Sequence, residues 1–165
     1  MSNKSDFTTE EWNKILAAPY HASMLIVVSD FNLNFISEVS AMMQSVVASV
    51  EGSKSEFIRE VAADFNQKGN QEAIKPELEK LQGEKDPAAL KGAMLDYVRS
   101  AVDMVAAKSQ EDSRVFSQWL LYLAQKTADA SKEGGFLGIG AVRVSEQEQA
   151  SLNELADTLN ANNEK

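Results

Sequence analysis

Residues 115–123 read "VFSQWLLYL", a run whose apolar side chains occupy almost the whole circumference of a helix. Such a run is typical of a helix that is buried on every side, and it predicts the central, most buried helix of the protein. Apolar side chains before and after it recur at steps of three and four residues, which indicates further amphipathic helices. These positions are Ile36, Val39, Met43, Val46, Val47 and Val50, then Leu90, Met94, Val98, Ala101 and Val105, and finally Leu152, Leu155 and Leu159.

Capping residues and prolines mark where the predicted helices begin. Capping boxes, in which a hydroxyl and a glutamate three residues apart bind each other's amides, are predicted at Thr8 with Glu11, Ser53 with Glu56, and Ser145 with Glu148. Each of the three prolines suits a first helical turn, where the missing N–H costs nothing: Pro19, Pro76 and Pro87, the last after an N-cap at Asp86. The expected helices are 9–18, 20–31, 35–51, 54–68, 71–82, 87–107, 112–131 and 146–160, with "MLIVV" (24–28) as buried helix. The sequence therefore predicts an all-α fold, one bundle of about seven or eight helices spanning 1–165.

Composition restricts the partners. The net charge is −9 with no basic stripe, which disfavours a nucleic-acid backbone and an anionic membrane surface. A cation or a basic protein patch would suit this charge better, and self-association stays open. The absence of cysteine removes disulfides and thiolate sites. No signal-peptide pattern and no apolar run of membrane-spanning length occurs, so we expect a cytoplasmic protein without a transmembrane segment.

Familiar catalytic patterns do not occur. His21 is the only histidine, which excludes di-iron bundles and zinc proteases built on paired histidines. We expect it in the first turn of a helix, as a modest acceptor or an ordinary surface residue. The glycines of "GGFLGIGAV" lack the lysine and the spacing of phosphate-binding loops. We therefore predict that the protein is not an enzyme; an enzyme with two carboxylates in a pocket is the third-ranked class, after two kinds of binding protein.

A glycine-rich segment precedes the last predicted helix, "EGGFLGIGAVRVSEQE" (133–148). We expect residues 134–141 to form an ordered loop whose apolar side chains pack on the bundle, with glycine allowing the sharp turns. The alternative is an exposed hydrophobic surface that contacts a membrane or a protein partner. The candidate partner-binding residues are Phe136, Leu137 and Ile139.

Two segments, near 24–50 and 120–160, share one pattern in which an aspartate ends one helix and a glutamate opens the next. The pairs are Asp30 with Glu38 and Asp129 with Glu148. A helix–loop–helix of this kind can bring two carboxylates together, and carboxylate oxygens are the ligands that Ca²⁺ and Mg²⁺ prefer. These four residues are the candidate metal ligands. The alternative is that the aspartates bind loop amides and the glutamates cap helices.

On "SDFNLNFISE" and "ADASKEGGFLGIGAVRVSEQE", the sequence resembles the TerB-like family of all-helical bacterial proteins associated with tellurite resistance. The ending is also similar to the carboxy-terminal segment of uncharacterised bacterial helical proteins that begin like "FTTEEWNKILAAP". The resemblance implies antiparallel core helices, cation ligands at the four carboxylates, and stress-associated binding or scaffolding rather than turnover. The leading hypothesis is thus a non-enzymatic acidic binding or interaction protein with weak divalent-cation affinity, and the alternative is a peripheral membrane or partner-docking protein that uses the exposed hydrophobic loop 134–141.

Overall fold

The structure, a computed structural model, describes residues 2–29, 35–79, 84–130 and 144–160. Within these ranges a short 3-10 turn, Lys4–Asp6, is followed by seven α-helices, and no residue lies in a β-strand. The helices are α1 (Thr9–Val27), α2 (Phe35–Gly52), α3 (Glu56–Phe65), α4 (Lys68–Glu79), α5 (Pro87–Ala106), α6 (Gln110–Ala130) and α7 (Glu146–Asn160). The all-α prediction is confirmed, and the arrangement is compatible with one bundle.

The first helix begins where predicted but does not end there. The Thr8 hydroxyl accepts the Glu11 amide at 3.2 Å, and the Glu11 carboxylate accepts the Thr8 amide at 2.8 Å, which completes the capping box. The predicted break at Pro19 is wrong, because α1 continues through it to Val27. A proline inside a helix removes one hydrogen bond and costs about 3 kcal/mol. Ala17 and Ala18 before Pro19, and His21 and Ala22 shortly after it, are buried, so packing on both sides offsets that cost.

The central helix is α1 rather than α6. Among the described residues, α1 packs closely against each of the other six α-helices, whereas α6 packs closely against five of them. The run at 115–123 is largely buried, but Gln118 and Tyr122 face solvent. The prediction that this run forms the most buried helix is therefore wrong. It did not recognise that the segments before and after Pro19 join into one long apolar helix.

The starts of α3, α4 and α5 test the capping residues and prolines that predicted them. Asp86 caps α5 by accepting the Ala88 amide at 3.0 Å, and Pro87 occupies the first turn, as predicted. The capping box at Ser53 is wrong, because Ser55 is the N-cap of α3 and accepts the Ile58 amide. Pro76 is also misplaced by the prediction: it lies inside α4, a helix whose described side chains are mostly exposed. A solvent-facing helix can leave the freed carbonyl to water.

One hydrophobic cluster joins the helices. At its centre the Phe57 ring on α3 lies 5.8 Å from Phe116 of α6, 6.1 Å from Trp12 of α1 and 6.2 Å from Phe7 (centroid distances). All four side chains are buried. Offset and edge-to-face contacts of this kind add to the hydrophobic stabilisation that burial provides. The cluster holds α3 and α6 against α1, and α2 packs across both of them.

None of the described helices is both long enough and apolar enough to cross a lipid bilayer.

Candidate functional site

The four predicted metal ligands have different surroundings. Asp30 lies outside the described residues, as do the loops of both predicted units. Glu38, in the first turn of α2, is 1% exposed, and Glu148, in the first turn of α7, is 2% exposed. Asp129 lies near the end of α6, where it accepts the side-chain amide of Gln125 at 3.2 Å. The structure thus places three of the four, each at a helix end.

Glu148 forms the predicted capping box. Its carboxylate accepts the Ser145 amide at 2.8 Å, and the Ser145 hydroxyl accepts the Glu148 amide at 3.2 Å. Both contacts satisfy amides that the first turn of a helix leaves without an intrahelical acceptor. Within the part of the chain that the structure describes, no group of three or more His, Asp or Glu side chains is arranged to hold a metal ion. The helix-capping alternative therefore accounts for the observed contacts of Glu148.

The predicted partner-binding residues Phe136, Leu137 and Ile139 lie outside the described residues, as does the whole of loop 134–141. Whether this loop packs on the bundle or faces a partner stays a prediction.

His21 is a core residue, not a surface residue at a helix start. It lies in the interior of α1 with 1% of its surface exposed. The Tyr97 ring of α5 lies 4.1 Å from the imidazole centroid, and the neighbouring Tyr20 ring meets it edge-on at 5.8 Å. Burial raises the pKa of the Tyr20 hydroxyl. The predicted position was wrong because Pro19 does not begin a helix, so His21 falls on the packed middle of α1.

The outward face of α2 is the feature that sequence reasoning missed. Ile36 is 79% exposed and Val47 is 55% exposed, although both belong to the spacing that predicted core positions. The inward face of the same helix holds Met42 and Val46, which are buried. A signal existed in the sequence. The apolar positions of α2 cover more of its circumference than a single core-facing stripe requires.

Two grooves lie on either side of this outward face. The groove between α2 and α3 has a volume of about 600 Å³ and is lined by Val47, Ala48, Val50, Glu51, Ala63 and Asn66. The groove between α2 and α6 has a volume of about 450 Å³ and is lined by Ala41, Gln44, Ser45, Ala48, Tyr122, Lys126, Asp129 and Ala130. Among the described residues that line them, each of these two grooves has one carboxylate, Glu51 in the first and Asp129 in the second. Within the described part of the chain, neither groove therefore pairs two carboxylates for acid–base chemistry.

The two grooves differ in character. In the α2–α6 groove, the Lys126 ammonium lies over the Tyr122 ring, 5.6 Å from its centre, which is within cation–π distance. The lysine therefore covers part of this exposed aromatic side chain. The lining of the α2–α3 groove is mainly aliphatic, with Glu51 as its charged residue. The α2–α3 side is thus the more apolar of the two, and the exposed side chain of Val47 lies at its edge.

No protein-family model, no curated protein and no solved structure matches this chain. The resemblance to the TerB-like family therefore stays a prediction.

Proposed function

We propose that this protein is a non-enzymatic interaction protein that binds another polypeptide through the outward face of α2. The observation that carries the proposal is the exposure of Ile36 and Val47 on a helix whose opposite face is already packed. Single exposed aliphatic side chains are ordinary on protein surfaces. Here they recur on one helix face beside an apolar groove, and an exposed apolar surface of that kind is typical of interaction sites.

The shape of the surface also favours a polypeptide. A small-molecule site is normally a concave pocket that buries most of its ligand and presents a few convergent polar groups. The α2–α3 groove is open and lined mainly by aliphatic side chains, and the exposed side chains of Ile36 and Val47 form a ridge on α2 beside it. A ridge next to a groove is the shape that packed helices present to each other. The TerB-like resemblance points in the same direction, towards stress-associated binding or scaffolding.

Photo-crosslinking from defined positions tests this function. We would place p-benzoylphenylalanine at position 47, and in separate proteins at Gln118, which is exposed on α6, and at Phe136 in the glycine-rich segment. Extract from the source cells is added to each purified protein before irradiation. We expect a covalent protein adduct from position 47 that excess unlabelled wild-type protein competes away and that excess Val47→Asp protein does not.

The control positions make the outcome specific. An adduct from Gln118 with the same mass and competition would show non-specific capture. An adduct from Phe136 alone would support the alternative surface at 134–141 and overturn the assignment to α2. If position 47 yields no competable adduct of any kind, α2 is not the binding surface.

A further inference from the structure

The exposed face of α2 has the periodicity of a helix–helix seam. Its positions are spaced by four, three, four and three residues: Ile36, Ser40, Met43, Val47 and Val50. We call these five residues the α2 stripe. Alternating steps of three and four give the 3.5-residue repeat along which two helices pack side by side. Met43 and Val50 also touch the core, whereas Ile36, Ser40 and Val47 are exposed. The stripe therefore fits a helix as its occupant.

The scarcity of charged side chains on α2 restricts the kind of helix that can pack on the stripe. Among its 18 residues α2 carries two charged side chains, the buried Glu38 and the exposed Glu51, and it has no lysine or arginine. A strongly basic or acidic partner would find little to pair with along the stripe. The chain as a whole has a net charge of −9, so two copies carry like net charge and repel each other. The α2 stripe is a surface on which two copies can meet without opposing rows of like charge.

Shape agrees with this choice. The α2–α3 groove runs beside the stripe and is lined by Val47, Val50 and Ala63. Side chains on the stripe of one copy can enter the groove of the other, and a two-fold axis repeats each contact. A helix of 18 residues is about 27 Å long, which makes the contact smaller than the interface of a permanent dimer.

We infer that the occupant of the α2 stripe is the α2 stripe of a second copy of this chain, in a weak, reversible, two-fold symmetric dimer. The inference rests on the proposed function and adds the identity of the partner. Repulsion between the two copies also gives it a signature: added salt screens the like charges and strengthens the dimer. A basic partner held by attraction to the acidic chain would be weakened by the same change.

Sedimentation velocity of the purified full chain tests the inference. Over loading concentrations from about 5 to about 500 µM, the range suited to a small interface, we expect the mass to rise from 18.1 kDa towards twice that value. Raising NaCl from about 20 mM to about 300 mM shortens the Debye length and should tighten the dimer. Val47→Asp puts a carboxylate into the seam twice, once from each copy, and should weaken the dimer at least about ten-fold.

The matched control is Tyr122→Asp, which places the same charge at the exposed aromatic on the α6 side of α2. It should leave the dimer unchanged. Because Val47 and Tyr122 are both exposed, each variant should melt like the wild type, and circular dichroism checks this.

Three outcomes would overturn the inference. They are a monomer at every concentration and salt, a dimer that Tyr122→Asp breaks and Val47→Asp does not, and a dimer that salt dissociates. The proposed function can still hold in these cases. A competable crosslink from position 47 to a different protein would support binding by α2 and reject self-association.

Discussion

The indole Nε1–H of Trp119 on α6 donates a hydrogen bond to the hydroxyl oxygen of Ser49 on α2, at 2.8 Å, and both residues are buried. The Ser49 hydroxyl in turn donates to the Ser45 carbonyl oxygen at 2.8 Å. Two hydrogen bonds in series therefore connect α6 to the backbone of α2. This contact helps to orient α2 so that Met42 and Val46 face the core and Val47 faces solvent.

Removing the acceptor of this bond should destabilise the protein. Ser49→Ala leaves the Trp119 N–H buried without its acceptor, which costs about 1–3 kcal/mol of unfolding free energy. The measurement is urea unfolding of the wild type, Ser49→Ala, Trp119→Phe and the double variant. Because the two side chains bind each other, Ser49→Ala should cost at least about 0.5 kcal/mol less in the Trp119→Phe background. Additive effects of the two substitutions would contradict the coupling.

Asp64 on α3 should be among the more sensitive polar residues. Its carboxylate accepts the Trp12 indole N–H at 2.9 Å, the Lys4 ammonium at 2.6 Å and the Gln67 side-chain amide at 3.0 Å. We expect Asp64→Ala to lower the unfolding free energy by about 2–3 kcal/mol, because it strands a buried indole donor. Lys4→Met is the control. The Lys4 side chain is half exposed, so its ion pair should contribute less than about 1 kcal/mol. Equal losses in the two variants would refute this ranking.

The capping box at the start of α1 should affect the acid side of the stability profile. The pKa of Glu11 lies below its ordinary value of 4.5, because the Thr8 backbone N–H and then the Thr8 hydroxyl bind its carboxylate. With a depressed folded pKa, the stabilising contribution is present above the unfolded pKa and is lost as pH falls through the folded pKa. An NMR titration of the Glu11 carboxyl should show the lowered pKa.

Thr8→Ala should raise the pKa of Glu11 part of the way, because the backbone contact survives, whereas Thr8→Ser should preserve it. Glu11→Gln should flatten the acid-side change in melting temperature, because the amide cannot titrate. An unchanged Glu11 pKa in Thr8→Ala would mean that the hydroxyl does not bind the carboxylate in solution.

Two serines of α6 form a matched pair with opposite expectations. The Ser117 hydroxyl is buried and has no hydrogen-bond partner among the described residues, whereas the Ser113 hydroxyl donates to the Val102 carbonyl oxygen of α5 at 3.3 Å. Alanine at either position brings a similar gain in helix propensity. We expect Ser117→Ala to leave the unfolding free energy unchanged or to raise it by about 1 kcal/mol. The unfolding free energy of Ser113→Ala should lie about 1 kcal/mol below that of Ser117→Ala, because this substitution removes a buried hydrogen bond. Thermal and urea unfolding measure both, and the reverse order would contradict the assigned contacts.

The cation hypothesis has a direct test at Glu148. Glutamine can replace glutamate in a capping box, so Glu148→Gln should fold normally. Because the Glu148 carboxylate and amide both bind Ser145 in a helix cap, we expect millimolar Ca²⁺, Mg²⁺ or Mn²⁺ to change the melting temperatures of wild type and Glu148→Gln equally. A cation-dependent rise in the wild type that is absent in Glu148→Gln, and also in Asp30→Asn with Glu38→Gln, would establish the ligand set instead.

The predictions that the structure confirms depend on local contacts. The capping boxes at Thr8 and Ser145, and the Asp86–Pro87 start of α5, involve residues no more than three positions apart. Such contacts form within one turn whatever the rest of the chain does, so their residue types predict them. The all-α class follows from the same local spacing, repeated along the chain.

The sequence by itself thus determined the helical class, most helix starts and the acidic, cysteine-free surface. Only the tertiary structure decided that α1 runs through Pro19, that His21 is buried, and that α2 turns Val47 outward while Val46 is packed. The physical reason is that the burial of a side chain is determined by the packing of one helix against another. Whether an apolar side chain is in the core depends on which helices pack beside it, and those neighbours are distant in sequence. The sequence shows that apolar positions cover much of the circumference of α2, but which of them stay exposed could be seen only after the helices were assembled.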